Sequence, residues 1–305
     1  MNHKYMKNIA TLALCLLFVF AYYQVDFQKT QSKQKSVTSN YHTIVFKDQS
    51  DTLIPVTVNL KCANEPENNY REMIETMKSS DYQHLGLYPI LSSQLELRNL
   101  IIEKTALTFD FSNHLKVSNN QEALDIFEAL SYTFCHNTIN KINLQIDGKP
   151  ISYLKNSTIN TNCITQNLGI NNFQSSSNHL YQTSSVLVYN PKTIAGHTYY
   201  VPTSTRIQNS DNDVSQEVSL LLDQINYSTK IKTNESCSFN QGVLSVHLDD
   251  SVLQDSETID QHLYLQLTKS LQSLPGVKQV DLYIHDQLIE ENKKVDHLID
   301  NRIKL

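Results

Sequence analysis

Tryptophan is missing from the 305 residues, and glycine and proline are scarce at six and seven. So little of either residue rules out a collagen-like or low-complexity repeat, and a hydrophobic content of 40% is too high for a disordered chain. The five cysteines form no CxxC pair, which removes zinc ribbons, thioredoxin-like redox motifs and a small disulfide-stapled scaffold. Positive charge is short as well. With 25 Lys and Arg against 31 Asp and Glu, the formal charge is -6 and no global basic field draws the chain to nucleic acid. A GxSxG nucleophile elbow is absent and the 11 histidines are scattered, so a hydrolase has no anchor in the sequence. What remains is a chain long enough for two globular domains.

Residues 9–23, IATLALCLLFVFAYY, are apolar apart from Thr11 and follow Lys4 and Lys7. At about 1.5 Å per residue the segment falls short of a roughly 30 Å hydrocarbon core unless Val25 and Phe27 extend it, with Tyr22 and Tyr23 at the interface. Val19, Phe20 and Ala21 also offer a cleavage site after Ala21. Residues 1–24 therefore read as a single-pass N-terminal membrane anchor or, alternatively, as a signal peptide removed on secretion. Cys15 is a poor lipidation site, because Leu14 stands where a lipobox wants a small residue. On both readings the basic end stays cytoplasmic and the remainder is extracytoplasmic. Residues 25–41, rich in Gln, Lys, Ser and Thr, read as a flexible tether.

Beyond the tether one pattern occurs twice. Leu107, Phe109 and Phe111 alternate with polar residues, as Leu244, Val246 and Leu248 do later, which predicts half-buried strands. Each strand precedes a helix, carrying Ala123, Phe127, Leu130 and Phe134 in one copy and Ile259, Leu263, Leu267, Leu271 and Leu274 in the other. Ser118 with Gln121 fits a capping box, and Ser256 is the candidate cap of the later helix. Alternating strands follow at 138–148 and 276–286. Upstream, LIPVTVNL (53–60) precedes a helix carrying Tyr70, Met73, Ile74 and Met77, and YVPTSTRI (200–207) precedes one carrying Val218, Leu221, Leu222 and Ile225. Short strands at Thr43 to Phe46 and Val186 to Tyr189 open the copies. The unit β-β-α-(β)-β-α-β predicts an α/β (α+β) fold of two tandem small sandwiches, each with helices packed on one face of a mixed sheet. The expected division is 1–24 anchor or signal, 25–41 tether, 42–154 first domain, 155–182 Asn-, Ser- and Thr-rich linker, 183–290 second domain, and 291–305 polar tail.

The strands ending in LIPV and YVP, the apolar helix, the LTFDFS strand, the long helix and the closing INLQIDG strand together resemble the GerMN domain family. The tandem arrangement on an exported chain is similar to the family's sporulation and germination proteins. The first copy keeps the Asp147-Gly148 turn, whereas the second has Asp286-Gln287 and departs from it. The resemblance implies a non-catalytic extracytoplasmic scaffold or adaptor, docking onto a membrane or cell-envelope protein complex or self-associating side to side. The alternative is a cell-wall glycan-binding module without catalysis, for which peptidoglycan would be the partner.

Residue by residue, the chemistry is sparse. His247 and Asp249 share a strand face beside Asp250, but a metal needs three or more converging ligands, and the first copy has Asp110, Ser112 and Asn113 there. His285 lies on a polar strand face, and Asp81 and His84 read as loop. Glu103, Glu290 and Glu291 mark no paired-carboxylate site. Cys135 closes a helix as a small hydrophobe, whereas Cys163 and Cys237 are either bridged or free thiols, and Cys62 has no assigned partner. Tyr199 and Tyr200 beside Pro202, with Tyr181 and Tyr189, are a core or edge cluster or else a sugar-stacking surface. No residue is assigned as catalytic, cofactor-binding or metal-binding, and no cofactor is expected.

Overall fold

The computed structural model describes residues 40–60, 66–112, 115–136, 138–171, 183–208, 214–225, 230–233, 237–253, 259–289 and 301–303. The expected anchor or signal and nearly all of the tether lie outside them. No helix among the described residues is long and apolar enough to cross a membrane.

Each half opens with an antiparallel ribbon, β1 (Tyr41–Lys47) with β2 (Leu53–Asn59) in the first and β7 (Thr183–Ile194) with β8 (His197–Gln208) in the second. A helix follows, α1 (Pro66–Met77) or α3 (Val214–Leu222). Proline at the first helical position of α1 costs no hydrogen bond, because that N–H has no intrahelical acceptor. The first sheet has the order β3-β4-β5-β6, with β3 at Leu97–Ile102, β4 at Ala106–Phe111, β5 at Lys141–Ile146 and β6 at Lys149–Pro150. The second runs β12-β11-β10-β9, with β9 at Ser238–Asn240, β10 at Val243–His247, β11 at Gln279–Ile284 and β12 at Gln287–Leu288. In both, the central pair is parallel and joined through a helix, α2 (Asn120–Phe134) or α4 (Gln261–Gln272). The fold is two tandem copies of a mixed α+β unit, in the element order expected from the repeat.

Several boundaries move. The cap of α2 is Asn119, which accepts from the Glu122 backbone N–H at 3.0 Å while Glu122 Oε2 accepts from the Ser118 N–H at 2.6 Å. The capping pair is displaced by one residue from Ser118 and Gln121, and its return bond reaches the N–H before the cap instead of the cap's own. Helix α4 starts after Asp260, whose side chain accepts from the Leu263 N–H, so Ile259 and Leu274 flank the helix. Ser256 lies outside the described residues. Helix α2 is buried nearly all round, Asp125, Glu128, Ser131 and Thr133 included, because the ribbon packs on the side opposite the sheet. Strand β4, expected to be half-buried, is buried at every position. Asp110 is accommodated by accepting from the Gly148 N–H at 2.8 Å, and Thr108 by the Asn143 amide at 3.3 Å.

Residues 155–171, within the expected linker, lie along the first half: Ile164 and Ile170 are fully buried, and the Ile142 N–H donates to the Ile164 carbonyl at 2.9 Å. Residues 301–303, within the expected tail, also dock, with Ile303 in the first core beside Tyr199 and Val201 of β8. That core therefore draws on both halves.

The two ribbons meet along the outward edges of β2 and β8. Pro55 and Pro202 occupy matching places, opposite Val45 and Tyr189. Those two residues turn their N–H groups away from the ribbon, to Thr133 Oγ1 at 3.3 Å and Ser270 Oγ at 2.9 Å, so the proline carbonyls face the seam. Proline has no N–H to donate, and a direct ladder fails there. Two asparagines fill the gap. The Asn171 side chain accepts from the Leu53 N–H (2.8 Å) and donates to the carbonyls of Leu53 (2.7 Å) and Pro202 (2.9 Å). The Asn301 side chain accepts from the Tyr200 N–H (2.8 Å) and donates to the carbonyls of Tyr200 (2.9 Å) and Pro55 (2.7 Å). Each asparagine thus holds the residue two before one proline and the carbonyl of the other. Both have left-handed backbone, φ 51° and 48°, which asparagine tolerates better than most residues.

The ribbon tip of the second half is tied down as well. Lys192 Nζ lies 2.5 Å from Asp48 Oδ2 and donates to Ser50 Oγ and Thr52 Oγ1 at 2.9 and 2.8 Å. Burial raises the Asp48 carboxyl's pKa, but Lys192 and the Ser50 and Thr52 donors outweigh it and hold it below the ordinary value.

Two outcomes follow. Asn171→Ala leaves Leu53 and Pro202 groups without partners in a buried seam and should lower unfolding free energy by about 3 kcal/mol, read from the denaturant midpoint. Lys192→Met should cost about 1 kcal/mol at neutral pH, given its partial exposure. Because the Asp48 pKa is depressed on folding, its contribution is full above the ordinary carboxylate range near 4. The stability difference between natural and variant chains should shrink as pH falls below that, in denaturation curves taken from pH 7 to 2.

Candidate functional site

The C-terminal ends of β10 and β11 gather the polar residues singled out from the sequence. His247 and Tyr283 are register partners and their rings stack at 4.8 Å. The β11–β12 turn adds His285 and Asp286, which pair crosswise: His247 Nδ1 is 3.6 Å from Asp286 Oδ1, and His285 Nε2 is 2.8 Å from Asp250 Oδ1. Asp249 caps the single 3-10 turn at 250–252, accepting from the Ser251 N–H at 3.0 Å and from its hydroxyl. The side chains pair rather than converge. Among the described residues no group of three or more His, Cys, Asp or Glu could hold a metal ion.

The turn itself corrects the comparison of the copies. The equivalent of Asp147-Gly148 is His285-Asp286, one residue earlier than Asp286-Gln287. All four positions are left-handed, at φ 51° and 75° in the first copy and 48° and 60° in the second. The second turn therefore places two non-glycine residues where a two-residue hairpin favours Asn-Gly or Asp-Gly.

Elsewhere the candidates disperse. His84 Nδ1 bonds its own loop at the Asp81 carbonyl, 2.8 Å away, and Glu103 sits in the exposed β3–β4 turn. Glu290, Glu291, Cys62 and Tyr181 lie outside the described residues. No disulfide joins Cys163 to Cys237. Burial pushes the Cys135 thiol up to about 11 and raises Cys163 too, which keeps both protonated and poorly nucleophilic.

Tyr199 and Tyr200 are buried at 4% and 0% exposure, so neither ring presents a face on which a sugar could stack. The Tyr199 hydroxyl donates to the Leu85 carbonyl at 3.2 Å, and Tyr200 Oη lies 2.7 Å from His262 Nδ1. Burial pushes the Tyr199 phenol up to about 12 and Tyr200 higher still. Tyr189 is half-buried, its hydroxyl 3.1 Å from that of Tyr132 and its ring beneath the Lys269 amine. The YVP segment belongs to the seam.

Exposed features among the described residues include a strand edge and two of the clefts. Strand β3 ends the first sheet, no described strand pairs with its outer edge, and Ile101 and Ile102 are 41% and 45% exposed. A cleft of about 430 Å³ beside the β11–β12 turn is lined by Leu253, Ile259, Ile284, Leu288 and Ile289 with His285 and Gln287. A broader groove of about 800 Å³ on the first half combines Leu91 and Leu95 with Lys47, Lys78, Lys116 and Glu122. Neither brings a Ser or Cys to a His. The sequence signal for β3 was weak, because Leu97-Arg98-Asn99-Leu100-Ile101-Ile102 does not alternate. For Asn171 and Asn301 there was none, since their partners lie up to 246 positions away.

Comparison with known proteins accords with this architecture. The Germane family, described as sporulation and spore germination, matches residues 41–152. The solved tandem GerMN domains of the sporulation protein GerM from Bacillus subtilis superpose with a TM-score of 0.66 at 19% identity, covering 81% of this chain and 91% of that one. The first GerMN domain of the same protein, solved separately, aligns with 40% of this chain and 95% of its own at 18% identity and a TM-score of 0.34. No curated protein matches. The family match is confined to residues 41–152, and the two halves together have the tandem GerMN fold.

The strained turn gives a direct test. Asp286→Gly restores the residue found at the equivalent Gly148 and should stabilise the chain by about 0.5–1 kcal/mol despite losing the exposed pair with His247, read as a rise in melting temperature.

Proposed function

We propose that this GerMN-domain chain is a non-catalytic extracytoplasmic scaffold or adaptor that binds partner proteins of a cell-envelope complex in sporulation or germination. The observation behind this reading is the tandem fold it shares with the sporulation protein GerM over most of its length. Two physical features support it. The clefts described above hold no aligned nucleophile and base, and His247, Asp250, His285 and Asp286 pair with one another at the surface. The seam joins the halves through buried hydrogen bonds instead of a solvated hinge, which suits a spacer that presents two surfaces at a set separation. The chain's own N-terminal apolar segment would hold it at the outer face of the cell membrane.

Residues 40–305, immobilised, should retain a defined membrane-embedded envelope protein from detergent extracts of sporulating cells, and should leave isolated peptidoglycan in solution. Retention of peptidoglycan alone would replace the adaptor with a glycan-binding module. Release of muropeptides would overturn the non-catalytic reading.

A further inference from the structure

The two asparagines are alike in their bonds but not in their attachment. Asn171 is 6% exposed, and its N–H donates to Glu128 Oε2 of α2 at 2.7 Å. The segment before it runs hard against β8: Ser204 N–H donates to the Ile170 carbonyl at 2.8 Å, Ile170 N–H donates to Ser204 Oγ at 2.7 Å, and a Cβ on Gly169 would meet Ser204 Oγ at 2.5 Å. That side of the seam is built into the middle of the chain. Asn301, by contrast, is half-buried and follows the second half.

The contacts of 301–303 with β2 amount to one parallel bridge, between Arg302 and Thr57. Thr57 N–H donates to the Asn301 carbonyl at 3.2 Å, and Ile303 N–H donates to the Thr57 carbonyl at 3.0 Å. The Asn301 side chain covers Pro55, where a strand partner would find no N–H. The Arg302 guanidinium lies 4.6 Å over the Tyr41 ring, and Ile303 enters the first core. Recognition of this kind uses main-chain bonds for affinity and alternate side chains for selectivity. Asn301 and Ile303 supply the selective contacts here.

We propose that the outer edge of β2 is a strand-acceptor slot for an Asn–X–aliphatic segment whose asparagine is left-handed, and that residues 301–303 fill it as a detachable latch. No described strand or helix has to break for the latch to leave. Its departure uncovers the edge of β2 at Pro55 and Thr57 and the Tyr200 N–H of β8, while the Asn171 side of the seam stays closed.

In the full chain, Asn301→Ala should speed amide hydrogen exchange at Thr57 and Tyr200 at least about 10-fold while leaving Leu244 and Leu282 of the second sheet unchanged, the pattern of local opening. A chain ending at residue 300 should bind a fluorescent nonapeptide of residues 297–305 saturably, and about 10-fold more weakly when the peptide carries Asn301→Ala. The full chain, whose slot is filled, should not bind it. Unchanged protection at Tyr200, uniform loss of protection through the second sheet, no peptide binding, or equal binding by the full and shortened chains would each overturn the proposal.

Discussion

Two prolines on opposite sides of a seam, each lying across from the residue two before the other, set the terms for the rest of the molecule. Strands β2 and β8 bring their edges together where neither Pro55 nor Pro202 can donate, and a buried carbonyl without a donor is costly. A side-chain amide, with two donors and an acceptor, is the smallest group that satisfies both a proline carbonyl and a neighbouring peptide unit. Asn171 and Asn301 each do so with three bonds, and both adopt the left-handed backbone that brings the amide into line. The reciprocity of the bonds follows from the duplication. Each copy supplies one proline edge and is followed in sequence by one asparagine, which satisfies its own ribbon and the other copy's proline.

The same seam explains which features were legible in the sequence. Elements buried by local periodicity were: Leu107, Phe109 and Phe111 of β4, Phe127 and Phe134 of α2, and Leu263, Leu267 and Leu271 of α4 all point where their spacing predicts. Helix caps were off by one to four residues, since Ser, Asn and Asp crowd those loops and only the geometry selects among them. The Asn-, Ser- and Thr-rich stretch after the first copy was read as linker because its composition is polar, yet Ile164 and Ile170 are enough to pin it. Burial of Asp110 and Glu128 was hidden for a related reason. A carboxylate is kept inside by backbone donors at Gly148 and Asn171 that only the fold brings near. Tyr199 and Tyr200 read from sequence first as core or edge, with a sugar-stacking surface as the alternative, and it is the ribbon-to-ribbon contact that covers them.

The candidate site was less legible than the fold, and the proposed scaffold role would account for that. Catalysis leaves a signature of converging groups with perturbed titration, whereas a binding surface needs only exposed shape and a rigid backing. The His247, Asp250, His285 and Asp286 set illustrates the difference. Polar residues collect at the end of a sheet and resemble a ligand cluster, but their pairing holds a strained turn.

Ile303 lies in the core of the half that is synthesised first. A polypeptide that emerges amino end foremost, whether from the ribosome or through a translocation channel, therefore leaves its leading unit incomplete until residues 301–303 arrive. Loss of residues 301–303 would be felt far back along the chain, in the oldest part of the product.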